Sequence, residues 1–350
     1  MAEMAEIDVL INGSPVSAEV RRYIADVVVD DSVELPSMFT FAVVSSDALG
    51  QDLPWVDNED LFSVGNTVEI KMSGGAALAS LISGEITALE PEFVANRLPV
   101  LNVQGYDRRH RLQRGRKTRT FLQKMDSDIA TQIGGEAGLS VQATHSGMIL
   151  DYVLQANQTD WEFLRQRARL IGYEVAVNDK TLFFQPVGND QGEILALDMQ
   201  HDLIEFHPRL SSAGQATEVK VQSWSIKDKE AVIGDSKIGD EISKMGGQSS
   251  GAAMVQRAFG TAIDAVTDQP VEARAEADRA AKARFNELVL ELITGEGTCR
   301  GRADIRAGKV IKIAGIGRRF GGQYYVTSAI HRNSPTGGYV TEFMVRRNAL

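Results

Sequence analysis

Hydrophobic and polar residues alternate with a period of two through much of the first hundred positions. Residues 67–71 (Thr-Val-Glu-Ile-Lys) and 98–104 show it most cleanly, and residues 7–11, 23–29, 39–43 and 81–89 are rich in Val, Ile and Phe. Period two puts one set of side chains on each face of a strand. Asn12-Gly13 is a tight-turn signal between two such runs, and Gly65-Asn66 introduces another. Strands this short and this evenly spaced predict a barrel or sandwich.

The pattern changes after residue 108. Asp126-Ser127 can cap a helix carrying Ile129, Ile133 and Ala137, with Gly138 as its stop. Thr159 and Glu162 have the spacing of a capping box. They open a helix with Trp161, Leu164, Ala168 and Ile171 on one face, ended by Gly172. Residues 173–177 and 181–185 flank Asn178-Asp179 as a hairpin. Residues 108 to about 187 therefore read as a small α/β unit. β patterning returns at 203–206 and 218–226. Residues 229–269 are rich in Gly, Ser and charge, and are expected to form a mobile, Gly-rich arm whose apolar end, with Val255, Phe259 and Ile263, docks on a neighbour. The Ala-rich run 271–285 predicts a helix reaching about 287, and residues 288–293 suit its continuation or a strand. Strands are expected at 310–313, 324–330 and 339–345.

Two segments about 243 residues apart share a pattern: Val64-Gly65-Asn66-Thr67-Val68-Glu69-Ile70 and Ala307-Gly308-Lys309-Val310-Ile311-Lys312-Ile313. Ile82, Gly84 and Ile86 then align with Tyr325, Thr327 and Ala329. Leu101 and Val103 align with Phe343 and Val345 after a one-residue slip. Any two β-meanders share some of this, but the order of Gly-turn and strands favours a duplicated β-barrel with the α/β unit between the copies.

Composition narrows the chemistry. The chain has 350 residues, room for two or three domains at roughly 100–200 residues each. Net charge is −10, which opposes whole-surface binding to nucleic acid. The single cysteine, Cys299, excludes an internal disulfide and a cysteine zinc site. Residues 1–10 lack the basic-then-apolar order of a signal peptide, and no run of about 18 apolar residues predicts membrane insertion. Gly295-Glu296-Gly297 and Gly321-Gly322 lack the context of a phosphate-cradling loop and read as turns. Cys299 lacks a base, His201 and His207 flank a strand-like stretch, and no carboxylates form a recognisable acid–base pair. No enzyme activity, cofactor or metal is expected. One cluster stands apart: Arg108, Arg109, Arg111, Arg114, Arg116, Lys117 and Arg119 place seven cations in twelve residues. It reads as a solvated loop, as an interface for an acidic protein or a channel-facing belt, or as a nucleic-acid contact. The absence of interleaved aromatics favours protein.

Gly105-Tyr106-Asp107-Arg108-Arg109-His110-Arg111-Leu112, running on through Arg114-Gly115-Arg116-Lys117-Thr118, resembles the phage late control D family, to which VgrG proteins are related in architecture. So do the stretch from Gln158-Thr159-Asp160-Trp161 to Gly172-Tyr173, Asn178-Asp179-Lys180-Thr181-Leu182-Phe183-Phe184, and the C-terminal runs around Gly308, Gly317-Arg318-Arg319-Phe320-Gly321-Gly322 and Gly338-Tyr339. The resemblance implies a mainly β fold with an α+β insertion: two tail-tube-like β-barrel domains (1–107 and 201–350, the second with the 229–269 arm and the 271–287 helix) flanking a small α/β domain (108–200). It implies a structural baseplate hub of a contractile injection particle: a phage tail, tailocin or extracellular injection system. Such a hub is a homotrimer whose six barrels meet a six-fold inner tube above and a three-fold spike below, beside other baseplate proteins. The sequence ends after the second barrel, so the spike is expected to be a separate chain. Assembly in the bacterial cytoplasm is implied, with nucleic acid only as passing cargo. The alternative is a tail-associated peptidoglycan-binding or cell-wall-degrading protein.

Overall fold

The computed structural model describes residues 6–45, 55–74, 78–226 and 228–350, so half of the stretch read for a signal peptide lies outside the described residues. The chain is mainly β. In the first unit the strand order is Ser14–Pro15, Glu6–Ile11, Thr67–Ser73, Ala79–Glu92, Val100–Asp107, Met38–Val44, Ile24–Ser32, every neighbour antiparallel. Asn12 and Gly13 have φ of 51° and 80°, the doubly positive turn that matches strand twist. Alternate side chains such as Val9, Phe39, Phe41, Ile70 and Val103 form its core. Among the described residues the sequence pattern missed the two-residue strand Ser14–Pro15 and the short helix Ala18–Tyr23, capped by Ser17.

The insertion begins with the 3₁₀ helix Arg108–Gln113. A ribbon of Lys117–Lys124 and Leu150–Gln158 and a three-stranded sheet of Tyr173–Asn178, Thr181–Pro186 and Ser140–Ala143 follow. Helices Asp126–Glu136 and Asp160–Leu170 share their core. Thr159 Oγ1 accepts the Glu162 N–H at 3.1 Å, and Glu162 Oε2 accepts the Thr159 N–H at 3.0 Å, the expected capping box. The other helix begins one residue earlier than its signal implied: Met125 occupies the cap position, and its N–H donates to Asp128.

The second unit has the order Leu203–Leu210, Ile293–Arg300, Gly338–Arg347, Gly322–Ser334, Val310–Ala314, Leu195–Asp198. The last strand was expected within the insertion; it pairs with Val310–Ala314 in parallel instead. Gly295 and Gly297 are not turn residues. They lie in a strand, where a Cβ on Gly297 would come within 2.5 Å of the Phe343 ring. Nor is 229–269 an irregular arm. Glu230–Lys237 and Ile263–Val266 flank Glu218–Ser225 in a separate sheet, and Gly251–Phe259 is helical. Helix Arg274–Leu290 covers that sheet. Gly234 lets it approach, since a Cβ there would meet the Ala277 backbone at 2.2 Å. Glycine-rich composition hid a strand whose inward side chains, Val232 and Ser236, are buried.

The two β units repeat one topology. Strands Thr67–Ser73, Ala79–Glu92, Val100–Asp107, Met38–Val44 and Ile24–Ser32 correspond in order and direction to Val310–Ala314, Gly322–Ser334, Gly338–Arg347, Ile293–Arg300 and Leu203–Leu210. The Gly65 N–H donates to Ile86 O and the Ile86 N–H to Asn66 O. Likewise the Gly308 N–H donates to Val326 O and the Val326 N–H to Lys309 O. Both long strands then bulge, at Thr87 and Thr327. These hydrogen bonds correct the alignment of the second strand: Thr87, not Gly84, matches Thr327, and Val103 matches Phe343. Among the described residues neither ladder closes on itself. Ile24–Ser32 instead pairs with Gly322–Ser334, joining both units in one continuous sheet.

Candidate interface: the basic cluster and the sheet junction

The basic cluster follows directly on strand Val100–Asp107, and the 3₁₀ helix folds its first members inward. Arg108, Arg109 and His110 are buried. Arg109 Nε donates to Asp107 Oδ2 at 2.7 Å, its Nη1 to Ser32 O at 2.9 Å, and its guanidinium lies over the Trp161 ring. Arg108 pairs with Glu85 and with Asp179 of the insertion hairpin. Arg111 Nε donates to Glu85 Oε2 at 2.9 Å, and His110 Nε2 lies 2.9 Å from the same oxygen. Burial alone would raise the Glu85 carboxyl, but hydrogen bonds from Arg111 and His110 and the charges of Arg111 and Arg108 outweigh it and hold it below its ordinary value.

The second half of the cluster holds the insertion together. Arg116 makes two hydrogen bonds to Glu162, at 2.9 and 3.0 Å. Lys117 Nζ reaches Asp160 Oδ2 at 2.7 Å, and Arg119 Nη2 reaches Asp160 Oδ1 at 2.8 Å. An acidic counterpart was expected from another molecule. For Arg108, Arg109, Arg111, Arg116, Lys117 and Arg119 it lies within this chain. Seven like charges were legible in sequence; the carboxylates that neutralise six of them, from 23 residues before to more than 70 after, were not. Arg114 is exposed, and Arg111, Arg116 and Lys117 keep part of their surface.

A second polar group locks the sheet junction. Arg306, from the second unit, donates to Asp31 Oδ2 at 2.8 Å and to the Ser80 and Leu81 carbonyls at 3.1 and 2.6 Å. Asp31 also accepts from Ser37 Oγ at 2.9 Å and the Ala307 N–H at 3.2 Å. Burial would raise its carboxyl; the Arg306 charge and hydrogen bond, with Arg109 and Ser37, lower it. Tyr325 of the second unit donates to Glu174 of the insertion. Asp31 carried a readable signal: it shares the buried parity of Val27 and Val29. Neither Arg306 nor Glu174 did.

Other sequence candidates stay apart. Cys299 is fully buried and its thiol is pushed up to about 12 by burial. His207 is exposed beside Glu205, and His201 lies in an exposed turn. Neither joins the junction.

The family model for the Alg8 N-terminal domain matches residues 1–334. The chain belongs to that family. The matching model is not that of the late control D family. Among solved structures, the 43 kDa tail protein of prophage MuSo2 from Shewanella oneidensis is 12% identical over 98% of each chain, with a TM-score of 0.73. The tail protein from Neisseria meningitidis MC58 is 13% identical over 99% of this chain and 97% of its own, with a TM-score of 0.70. A component of the type VI secretion system of E. coli is 12% identical over 99% and 77%, with a TM-score of 0.62. The fold is therefore shared with tail proteins across the whole chain. No curated protein matches it. Among the described residues no helix is long and apolar enough to cross a membrane.

Proposed function

We propose that this chain is a structural hub in the baseplate of a contractile injection particle, related to the late control D and VgrG hubs. Three copies would set six equivalent β units around an axis, adapting a six-fold inner tube to a three-fold spike. The supporting observation is the duplication itself: two sheets of one topology, joined edge to edge, in a fold shared with tail proteins. A pair of units within each chain and three-fold symmetry between chains together present both symmetries. Its work is mechanical, and no catalytic step is assigned to it. The exposed Arg114 and the remaining surface of Arg116 are proposed to face other baseplate proteins. Native mass measurement of the purified chain at assembly concentrations tests the reading. A trimer supports it; a strict monomer or a dimer refutes it. Muralytic and peptidase assays are expected to be blank, and activity lost with a single carboxylate would favour the cell-wall enzyme instead.

A further inference from the structure

The internal junction shows what each unit does with its edges. The far half of Gly322–Ser334 pairs with Ile24–Ser32, from Ser328 opposite Ser32 to Asn333 opposite Val27. By duplication the same two edges exist once more: the far half of Ala79–Glu92, and Leu203–Leu210. Among the described residues each has a strand on only one side there. Matching bulges and hydrogen bonds fix the correspondence at 240 residues for the first edge. The register carried through Met38–Val44 and Ile293–Arg300, which pairs Val29 with Phe39 and Pro208 with Gly295, fixes it at 179 for the second. Transferring the internal register places Leu89 opposite Leu210, Glu90 opposite Arg209, Glu92 opposite His207, and Phe93 opposite Phe206.

We propose that a second copy of this chain docks here, edge to edge, in that register. The inference rests on the hub reading above and names its interface. The rows segregate as an interface requires. Leu89 and Phe93 meet Leu210 and Phe206 on one face, while Glu90 and Glu92 meet Arg209 and His207 on the other, acid facing base at both positions. Phe93 is 60% exposed in the single chain and gains a partner. Pro91 meets Pro208 at a rung that would otherwise need two N–H donors; neither has one. The two prolines thus guard the free edges against indiscriminate pairing and coincide only in this register.

The loop beside this edge carries an independent sign. At the internal junction the Ala307 N–H contacts Asp31. The corresponding residues are Val64 and Leu210. Val64 is 64% exposed, and Leu210 lines a cavity of about 250 Å³ with Met254, Val255 and Phe259. A polar contact at the internal junction becomes an apolar one between copies, with Val64 of one copy entering the cavity of the next. The interface is head to tail, so it propagates from copy to copy rather than ending in isolated pairs, and a rotation that closes makes it a ring.

Cysteine pairing and charge exchange test it. Opposed positions in a rung without hydrogen bonds come close enough for a disulfide. Glu90→Cys with Arg209→Cys should give, on mild oxidation, linked chains up to a covalent trimer; Glu90→Cys with Glu205→Cys should not. Buried Cys299 stays out of the reaction. Glu90→Arg or Arg209→Glu should each weaken association at least tenfold, with circular dichroism unchanged because both sites are exposed. The double exchange should restore it. A trimer that forms without the 90–209 link, or whose single reversals associate like wild type, overturns the register while leaving the hub reading intact. A wild-type chain that never associates overturns both.

Discussion

Arg109 and Arg114 stand five positions apart in one basic run, yet the structure gives them opposite roles. Arg109 is buried against Asp107, Ser32, Ser37 and Trp161. Removing it leaves the Asp107 carboxylate buried with a partner missing, at a cost of about 3–5 kcal/mol. Arg109→Ala should therefore lower the urea midpoint sharply, whereas Arg114→Ala should stay within about 0.5 kcal/mol of wild type. Equal effects would show that burial does not separate them. Gly105 is a different kind of constraint. A Cβ there would come 2.2 Å from the Glu85 carbonyl oxygen and 2.3 Å from the Phe39 ring. Gly105→Ala must push strands apart, and a loss of about 3 kcal/mol is expected in the same unfolding measurement. Buried Cys299, held protonated, should react with a thiol reagent only as fast as the chain opens; rapid labelling of the native protein would contradict its burial.

At the scale of elements, the junction strand Gly322–Ser334 carries a titratable group in its most protected part. His331 is fully buried opposite Val29, and its Nδ1 lies 2.8 Å from the Tyr339 hydroxyl. Burial, with the nearby Arg306 charge, lowers its pKa to about 4. An unfolded histidine titrates near 6.5. Between these values the unfolded chain binds the proton and the folded one does not, so stability falls as pH falls from about 6.5 to 4. The full loss is on the order of 3 kcal/mol. His331→Gln removes the titration, so the variant's stability should be nearly level between pH 6.5 and 5 where wild type declines. Parallel decline in both proteins would assign the effect elsewhere.

At the scale of the molecule, Arg306 ties the second unit to Asp31 across 275 positions. The lowered Asp31 pKa contributes stability that is complete above its unfolded value, near 3.9, and lost as pH falls through the folded one. Arg306→Met should cost about 2–3 kcal/mol at neutral pH, and the gap from wild type should narrow below about pH 4, where Asp31 is protonated in the unfolded chain and then in the folded one. A gap independent of pH would mean that the arginine acts by packing alone. Local features were legible in the sequence: the Asn12-Gly13 turn, the Thr159 cap and the alternating strands depend on residues within a few positions of each other, where geometry and periodicity act directly. Two of the five strand correspondences in the duplication were not legible, because volume changed sides. Phe39 and Phe41 lie across from Gly105 and Val103 in the first unit; Gly295 and Gly297 lie across from Val345 and Phe343 in the second. A core requires that each space be filled, not that a given strand fill it. The sequence by itself thus determined the strongly periodic strands, the capped helices of the insertion and the density of charge. Only the tertiary structure decided which carboxylates neutralise the basic run and which edges meet, because those partners lie tens to hundreds of residues apart and are selected by register in three dimensions.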